Sequence, residues 1–557
     1  MFFKKKKFKQ NIFPDEILID SRNMPNFETS QFEGRFERAI SKKTFLYFSA
    51  ALFLIAIFFI SKVFYLQIVR RDELANRSLN NKLRREILAP MRGVIYDRNN
   101  IILAWNGEEE RLYTDMNGLS HTLGYVGLPS KEDIESDKDI LLNMEIGKSG
   151  VEKNFEKELR GIVGTALAER DSQGNIISES VQTHPQSGDN IYLSIDAKLQ
   201  SEMYKILGDT ARNNKFSGGV GIIMDARTGE IISMASWPEY DSQIMSRGKP
   251  ADKINAFLTD DHKPFLNRAI SGLYAPGSVV KPMVAIAALN EGIISPDKQI
   301  FSSGSISVQN PFYPELKSVF KDWKAHGWVD MKMAIAVSSD VYFYEIGGGY
   351  EEIRGLGINK LEEYAKMFGL GDDTGIDLPN EASGVVPSHE VKKQNNPGDP
   401  LWRIGDTYIS SIGQGYFLST PLEIAVYIAA IANNGILLKP KIVKDENLSE
   451  YDGKKIKIPD EYFKIVKEGM RMAVTDGTAR GLSRPEVKIA TKTGTAETGA
   501  GKRFIHSWIV GFFPYENPKY IFTMLLENGP AGTTTGAPYA TSRLLDWIAK
   551  NAPEYFE

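Results

Sequence analysis

Tyr274-Ala-Pro-Gly-Ser278-Val-Val-Lys281-Pro-Met-Val-Ala-Ile-Ala-Ala-Leu289 reads as a break followed by a helix. Pro276 and Gly277 interrupt the chain, Ser278 falls in the first helical turn, and an apolar run follows. The hydroxyl is thereby placed beside free backbone N–H groups and the positive end of the helix dipole. Residues three apart on a helix are neighbours, so the Lys281 amine can approach the Ser278 hydroxyl without help from elsewhere. Nucleophilic chemistry needs a hydroxyl or thiol with a base in reach. With no cysteine in 557 residues, serine or threonine must serve. The six histidines include no HExxH pair and no partner for a Gly-x-Ser-x-Gly elbow, so neither a zincin nor a hydrolase-type triad is indicated.

Ser-x-x-Lys alone is a weak signal, and it occurs four times, at Ser278–Lys281, Ser246–Lys249, Ser295–Lys298 and Ser318–Lys321. Context separates the first. Downstream of it lie Ser338-Ser339-Asp340, closing the helical run MKMAIAVSSD, and Lys492-Thr493-Gly494-Thr495, placed after the strand-like VKIAT and before a second strand. Lys148-Ser149-Gly150 lies upstream of every Ser-x-x-Lys match and so has the wrong order. The order Ser-x-x-Lys, Ser-x-Asp, Lys-Thr-Gly is far more specific than any one element.

The rest of the chain sets this constellation outside a membrane. Residues 44–61 (TFLYFSAALFLIAIFFIS) carry no charge, and Val63 to Val69 extends the apolar stretch past Lys62. About 20 such residues span a bilayer core, and a cleaved signal peptide would not follow 43 other residues. Those 43 carry ten Lys/Arg and six acids, +4, which leaves −8 of the total −4 for the remainder. The positive-inside rule puts the N-terminus in the cytoplasm, but Arg70, Arg71 and Arg77 follow the span closely, so charge alone leaves orientation open. Near-neutral overall charge argues against a general nucleic-acid binder. A hydrophobic share of 42% and a charged share of 25% exclude a disordered tail protein.

Outward from the span, residues 64–88 read as a helical stalk, PMRGVIYDRNNIILAWN at 90–106 as a hairpin, and 151–160 as a charged helix. A long amphipathic helix is predicted from Ala197 to about Arg212. GGVGIIMDARTGEIISMAS from Gly218 predicts two strands turned at Ala226 to Gly229. A mostly helical stretch follows to about Arg480. Apolar runs at Val487 to Thr491, Ser507 to Phe513 and Tyr520 to Leu526 come next, then a helix from Ala540 to Lys550. Strands at both ends with helices between predict an α+β domain whose terminal strands share one sheet. The boundaries are a tail at 1–43, a transmembrane helix at 44–69, a pedestal at 70–190 and a catalytic domain at 191–557.

With the three motif elements placed, the chain resembles class B penicillin-binding proteins, more closely the elongation-type penicillin-binding protein 2 group. The similarity includes RGVIYDRN at 92–99, GKSGVEKNFEKELRG at 147–161, YAPGSVVKP at 274–282, KDWKAHG at 321–327, GDTYISSIGQGYFLSTPLE at 405–423 and LENGPAG at 526–532. The resemblance implies an inner-membrane, single-pass D,D-transpeptidase with its catalytic domain outside the cytoplasm. That domain would have a central antiparallel sheet flanked by helices and stand on a dimerisation-type pedestal. Its substrates would be peptidoglycan stem peptides, and β-lactam antibiotics would inhibit it covalently. Its partners would be a SEDS-family glycosyltransferase and other elongation-complex membrane proteins, with no cofactor. A division-type transpeptidase and a catalytically silent penicillin sensor are the alternatives.

The resemblance also implies roles. Ser278 attacks, Lys281 acts as base, Ser338 relays a proton, and Lys492 and Thr495 hold the substrate carboxylate. The N–H groups of Ser278 and Thr495 form an oxyanion hole, and Thr493 and Gly494 shape the strand, with a side chain at Gly494 expected to block substrate. A neutral Lys281 near pH 7 needs its pKa lowered by roughly 3 units, which burial and the charge of Lys492 would favour. Asp340 stands where many relatives have asparagine, which fits the elongation subgroup. The stretch from Asn106 to Gly124 is shorter than is usual in the family. Some relatives bind zinc beside the cleft. Here Asp322 and His326 match plausible ligand positions, but Ser302 and Ser339 replace the expected Asp and Cys, so no metal is expected.

Overall fold

The computed structural model describes residues 41–137, 140–170, 176–309, 313, 315–445 and 449–557. The cytoplasmic tail expected at 1–43, with its lysine run, lies outside the described residues up to position 40.

The chain forms two compact units. In the first, a helix runs Lys42–Phe64 and continues as a wider turn over Tyr65–Val69. Ser41 caps it by accepting from the Thr44 N–H at 3.3 Å. Every residue of Lys42–Phe64 faces outward, which for a side-chain set this apolar fits a single-pass membrane anchor. At 28 residues through Val69 it is about 42 Å long, more than the ~30 Å hydrocarbon core. A second helix, Arg71–Lys82, follows. The predicted stalk is therefore shorter than expected: the backbone turns extended over Leu83–Leu88.

The second unit holds residues 86–166 and 181–557. Its centre is a five-stranded antiparallel sheet. The strands are β1 (Gly218–Asp225), β2 (Ile231–Trp237), β3 (Ala490–Thr498), β4 (Phe504–Phe513) and β5 (Tyr520–Pro530), in the order β2-β1-β5-β4-β3. As predicted, the two ends of the domain share one sheet. β1 pairs with β5 from Gly218↔Glu527 to Asp225↔Tyr520, and the Ser217 hydroxyl bonds the Glu527 carbonyl 310 positions away.

Period-two alternation assigns the faces. Val220, Ile222 and Met224 of β1 join one apolar cluster with Val510, Phe512 and Leu525. Ile223 joins the other with Ile509, Phe522 and Met524. Helices α1 (Ala197–Asn214) and α2 (Ala537–Asn551) cover the second face, and the wholly buried helix Pro421–Ala432 covers the first. The N-terminal cap of α1 is Asp196, whose carboxylate accepts from the Lys198 and Leu199 N–H groups, a device worth about 1 kcal/mol.

Residues 86–166 pack on this body through buried polar joints. The hairpin expected at 90–106 forms from Ile95–Tyr96 and Ile102–Asn106. The helix expected at 151–160 is two short ones, Gly150–Asn154 and Glu156–Arg160. Fully buried Glu152 accepts from Arg92 at 2.6 Å and Arg111 at 2.8 Å. The Ser120 N–H donates to Glu239 at 2.9 Å, and the His121 ring bonds the Pro264 carbonyl at 2.9 Å.

Two buried histidines make the fold acid-sensitive. Burial drives His121 down to about 3, with the charge of Arg268 adding to the effect. Burial takes His506 down to about 4 against the opposing carboxylate of Glu527. Because the unfolded chain titrates near 6.5, each histidine's contribution is present above that pH and is lost as pH falls toward the folded value. The cost between pH 7 and 5 is about 2 kcal/mol each. Thermal unfolding at the two pH values should show this loss. His121→Gln, which keeps a donor for Pro264, should lose measurably less; equal losses in both proteins would refute the assignment.

Candidate active site

Four backbone and side-chain bonds fix the nucleophile turn. The Gly277 N–H donates to Gly413 O at 2.8 Å, Tyr427 Oη to Val279 O at 2.9 Å and Trp508 Nε1 to Ala275 O at 3.0 Å. Tyr274 Oη donates to the Glu527 carboxylate at 2.6 Å. Residues Gly277–Val280 form a tight 3₁₀ turn that runs into the helix Lys281–Asn290, as the Pro-Gly break predicts. Gly277 has φ +58, and a Cβ there would stand 2.9 Å from Thr495 O. Only glycine lets this turn lie against the backbone of β3. Val279 and Val280 point inward, leaving Ser278 half-exposed in the cleft.

Lys281 is fully buried beneath the turn. Its Nζ donates to Asp340 Oδ1 at 2.6 Å, Ser338 O at 2.9 Å and Ser338 Oγ at 3.3 Å. Ser338 ends the helix Met331–Val337 in the left-handed conformation, φ 59 and ψ 43, a placement that costs of order 1 kcal/mol. The next helix, Asp340–Gly348, begins at once. Lys492, also fully buried, donates from Nζ to Ser338 Oγ at 2.7 Å and to Thr493 O at 2.7 Å. The Ser338 hydroxyl thus bridges the two amines. Burial first, then the positive charge of Lys281, push Lys492 well below the ordinary lysine value, with Asp340 opposing. Asp340 thus lies directly against Lys281, and Lys492, without a carboxylate of its own in contact, is driven toward neutrality.

β3 carries the third element. Lys492-Thr493-Gly494-Thr495 lies inside the strand and not after it, because the ladder begins at Ala490 and pairs through Thr498. Thr493, Thr495 and Glu497 face outward while Lys492, Gly494 and Ala496 face in. A Cβ on Gly494 would meet Val279 Cγ1 at 2.8 Å, Trp508 Cβ at 3.1 Å and Pro276 O at 3.2 Å. The glycine therefore admits the nucleophile turn to the strand, a second reason for it beside its place in the cleft wall.

The elements open on one cleft of about 690 Å³, lined by Ser278, Ser338, Asp340, Thr493, Gly494 and Thr495 among others. The decoys form no such pair, although Lys321 lies on the cleft wall. Ser318 and Lys321 lie on a strand, Lys317–Lys321, where positions three apart point to opposite faces. Ser295 and Lys298 are exposed in a turn. Lys148 pairs with Asp133 at 2.7 Å.

Residues 219–549, more than half of the chain, match the family described as the penicillin-binding protein transpeptidase domain. The chain belongs to that family. Residues 105–193 of this penicillin-binding protein match the penicillin-binding protein dimerisation domain. It is 28% identical to the peptidoglycan D,D-transpeptidase MrdA of Escherichia coli K12, covering 86% of this chain and 89% of that one. It is similar to the PBP2 of Helicobacter pylori solved in complex with MreC, at 28% identity and TM-score 0.72 over 84% of this chain and 99% of that one. A structure of a peptidoglycan synthase complex coordinating polymerization and crosslinking is also similar, at 26% identity and TM-score 0.71 over 92% and 98%.

Several cleft residues of the penicillin-binding protein escape sequence reasoning. Thr478 Oγ1 lies 2.7 Å from Thr493 Oγ1, and Gln414, Tyr344, Trp323 and Lys502 also line the cleft. Gln414 and Trp323 had visible signals, the SSIGQG run at 410–415 and KDWKAHG at 321–327.

The zinc ligands raised by the resemblance do come together, since Ser302, Asp322, His326 and Ser339 are adjacent. The donor set does not fit zinc. The Ser302 and Ser339 hydroxyls, neutral groups, both donate to Asp322 Oδ2, at 3.2 and 2.8 Å. That leaves one carboxylate and one imidazole, His326 Nε2 standing 3.5 Å from Asp322 Oδ1. A zinc site takes at least three protein ligands. Among the described residues no group of three or more His, Cys, Asp or Glu side chains is placed to hold a metal.

Proposed function

We propose that this protein is a peptidoglycan D,D-transpeptidase that works through a Ser278 acyl-enzyme during cell elongation. The observation that carries the reading is the bridge of the Lys281 and Lys492 amines by one hydroxyl, Ser338 Oγ, beneath Ser278 in a single cleft. Buried together, two ammonium groups and one carboxylate leave an uncompensated charge. The resting site therefore holds one charged amine, paired with Asp340, and one neutral amine, Lys492. A stem-peptide carboxylate docking at the hydroxyls of Thr493, Thr495 and Thr478 favours a charged Lys492. A proton then moves from Lys281 through Ser338 to Lys492, leaving Lys281 neutral beside Ser278.

Ser278 Oγ attacks the penultimate D-Ala carbonyl and gives its proton to Lys281. The tetrahedral oxyanion rests on the N–H groups of Ser278 and Thr495, a contribution on the order of 3 kcal/mol per donor. As the new C–O bond holds, the C–N bond to the terminal D-Ala breaks, and its nitrogen takes the proton through Ser338. An acceptor amine reverses these steps and forms the crosslink; water in its place gives carboxypeptidase activity. A β-lactam enters the same way and stays attached.

The elongation reading is supported by Asp340 and by the MrdA and PBP2 relatives. With the apolar helix as anchor, the N-terminus is cytoplasmic and the catalytic unit faces the wall. A SEDS-family glycan polymerase and elongation-complex membrane proteins are the partners. The test is to incubate the full-length protein with a labelled penicillin and map the adduct by mass spectrometry. The expected adduct lies on Ser278, with D-alanine release from a pentapeptide donor blocked in parallel. No adduct, or one elsewhere, would sink the reading.

A further inference from the structure

We infer that Asp322 is a positioning residue that, without any metal, holds Ser338 and Asp340 in register with the two lysines. Asp322 follows the strand Lys317–Lys321, and its side chain is completely buried. Its own N–H donates to Gly304 O at 2.8 Å, and the His326 N–H to Ser302 O at 3.1 Å, so the short strands on this side of the cleft hold the carboxylate still. Oδ1 accepts from the Trp323 N–H at 2.8 Å. Oδ2 accepts from Ser302 Oγ at 3.2 Å, Ser339 Oγ at 2.8 Å and the Val341 N–H at 3.0 Å.

Two of those donors flank the catalytic pair. Ser339 sits between Ser338 and Asp340, and Val341 follows Asp340. A hydroxyl has one proton to give and lone pairs to accept with. By taking the Ser339 proton, Asp322 leaves that oxygen free to accept from the Tyr342 N–H at 3.3 Å and cap the helix Asp340–Gly348. The carboxylate therefore fixes the start of this helix, and through it the left-handed Ser338 and the 2.6 Å contact of Asp340 with Lys281. The hydroxyls of Ser302 and Ser339 do by hydrogen bonding what a coordinated ion would otherwise do.

This rests on the acyltransferase reading, and the test separates the two. For full-length wild type, Asp322→Ala, Ser339→Ala and the double variant, the labelled-penicillin acylation rate constant and the dissociation constant of the preceding non-covalent complex are measured. Thermal unfolding and zinc content are recorded beside them. Asp322→Ala should lower the acylation constant about 10–100-fold while the non-covalent constant stays within about threefold. Ser339→Ala, a milder change that keeps the core intact, should lower it several-fold. Because the two residues share one bond, the double variant should lose clearly less than the two single losses combined. A chelator should leave wild type unchanged.

Additive losses, or an Asp322→Ala protein acylated as fast as wild type, would overturn the inference and leave the proposed function standing. So would stoichiometric zinc whose removal slows wild type. Should Asp322→Ala fail to fold, Ser339→Ala decides, because an unchanged acylation constant there is equally fatal. Wild type that takes no label sinks both readings.

Discussion

Lys281→Arg is expected to slow acylation of Ser278 by about 10²–10⁴-fold near pH 7 while leaving the protein folded. Arginine keeps a positive charge opposite Asp340, which now sits 2.6 Å from the lysine amine, so the carboxylate is not stranded. A guanidinium cannot give up its proton in a protein, so it cannot receive one from Ser278. The substitution removes the base and keeps the charge balance, and so separates two duties that an alanine would remove together. The comparison is stopped-flow acylation by a fluorescent penicillin, with thermal unfolding as the control on folding. A rate within tenfold of wild type would end the role of Lys281 as base and move attention to Lys492 acting alone through Ser338.

Gly494→Ala should cost about 1–3 kcal/mol of stability and lower acylation by about 100-fold, although it adds one methyl and removes no functional group. The new Cβ would press on Val279 Cγ1 at 2.8 Å, one residue past the nucleophile, and the turn would have to move away from β3. Pairing it with Val279→Ala tests that cause. Alone, the second change opens a small cavity costing about 2 kcal/mol. Combined, the two should recover at least tenfold of the lost acylation, since the removed methyl is the one struck. If Gly494 instead served to admit substrate from the cleft, the second substitution would restore nothing. A double-mutant cycle on the acylation constant and on thermal stability reads the coupling directly.

The parts legible in the sequence are those encoded by local rules. The Pro-Gly break before Ser278, the helix beginning at Ala197 and the β1–β2 turn each follow from residues adjacent in the chain, and the ordered motif set located the cleft. What stayed hidden is built by contacts between distant segments. Thr478 meets Thr493 only because a helix end is laid beside an edge strand. The strands Ile300–Ser302 and Gly327–Val329 are three residues each, too short to show a period, and Asp322 has meaning only where they bring it. The pairing within the lysine site was hidden for the same reason: Asp340 was visible as a variant residue, but its contact with Lys281 was not. Gly494 was singled out, but the turn packed on it was not visible, because a sequence does not say which side of a strand a neighbouring turn approaches.

The pairing of β1 with β5 has a consequence for biosynthesis. The strand opening the sheet is made some 300 residues before the strand that completes its hydrogen bonding, and Lys492 arrives with the same late segment. A nascent chain therefore carries an unfinished sheet with an open edge until the segment from Tyr520 has been made. Ser278 has no partner on β3 during that time. The cleft is assembled only after that late segment has joined the sheet, and a chain cut short before Tyr520 is expected to leave β1 with an unpaired, adhesive edge.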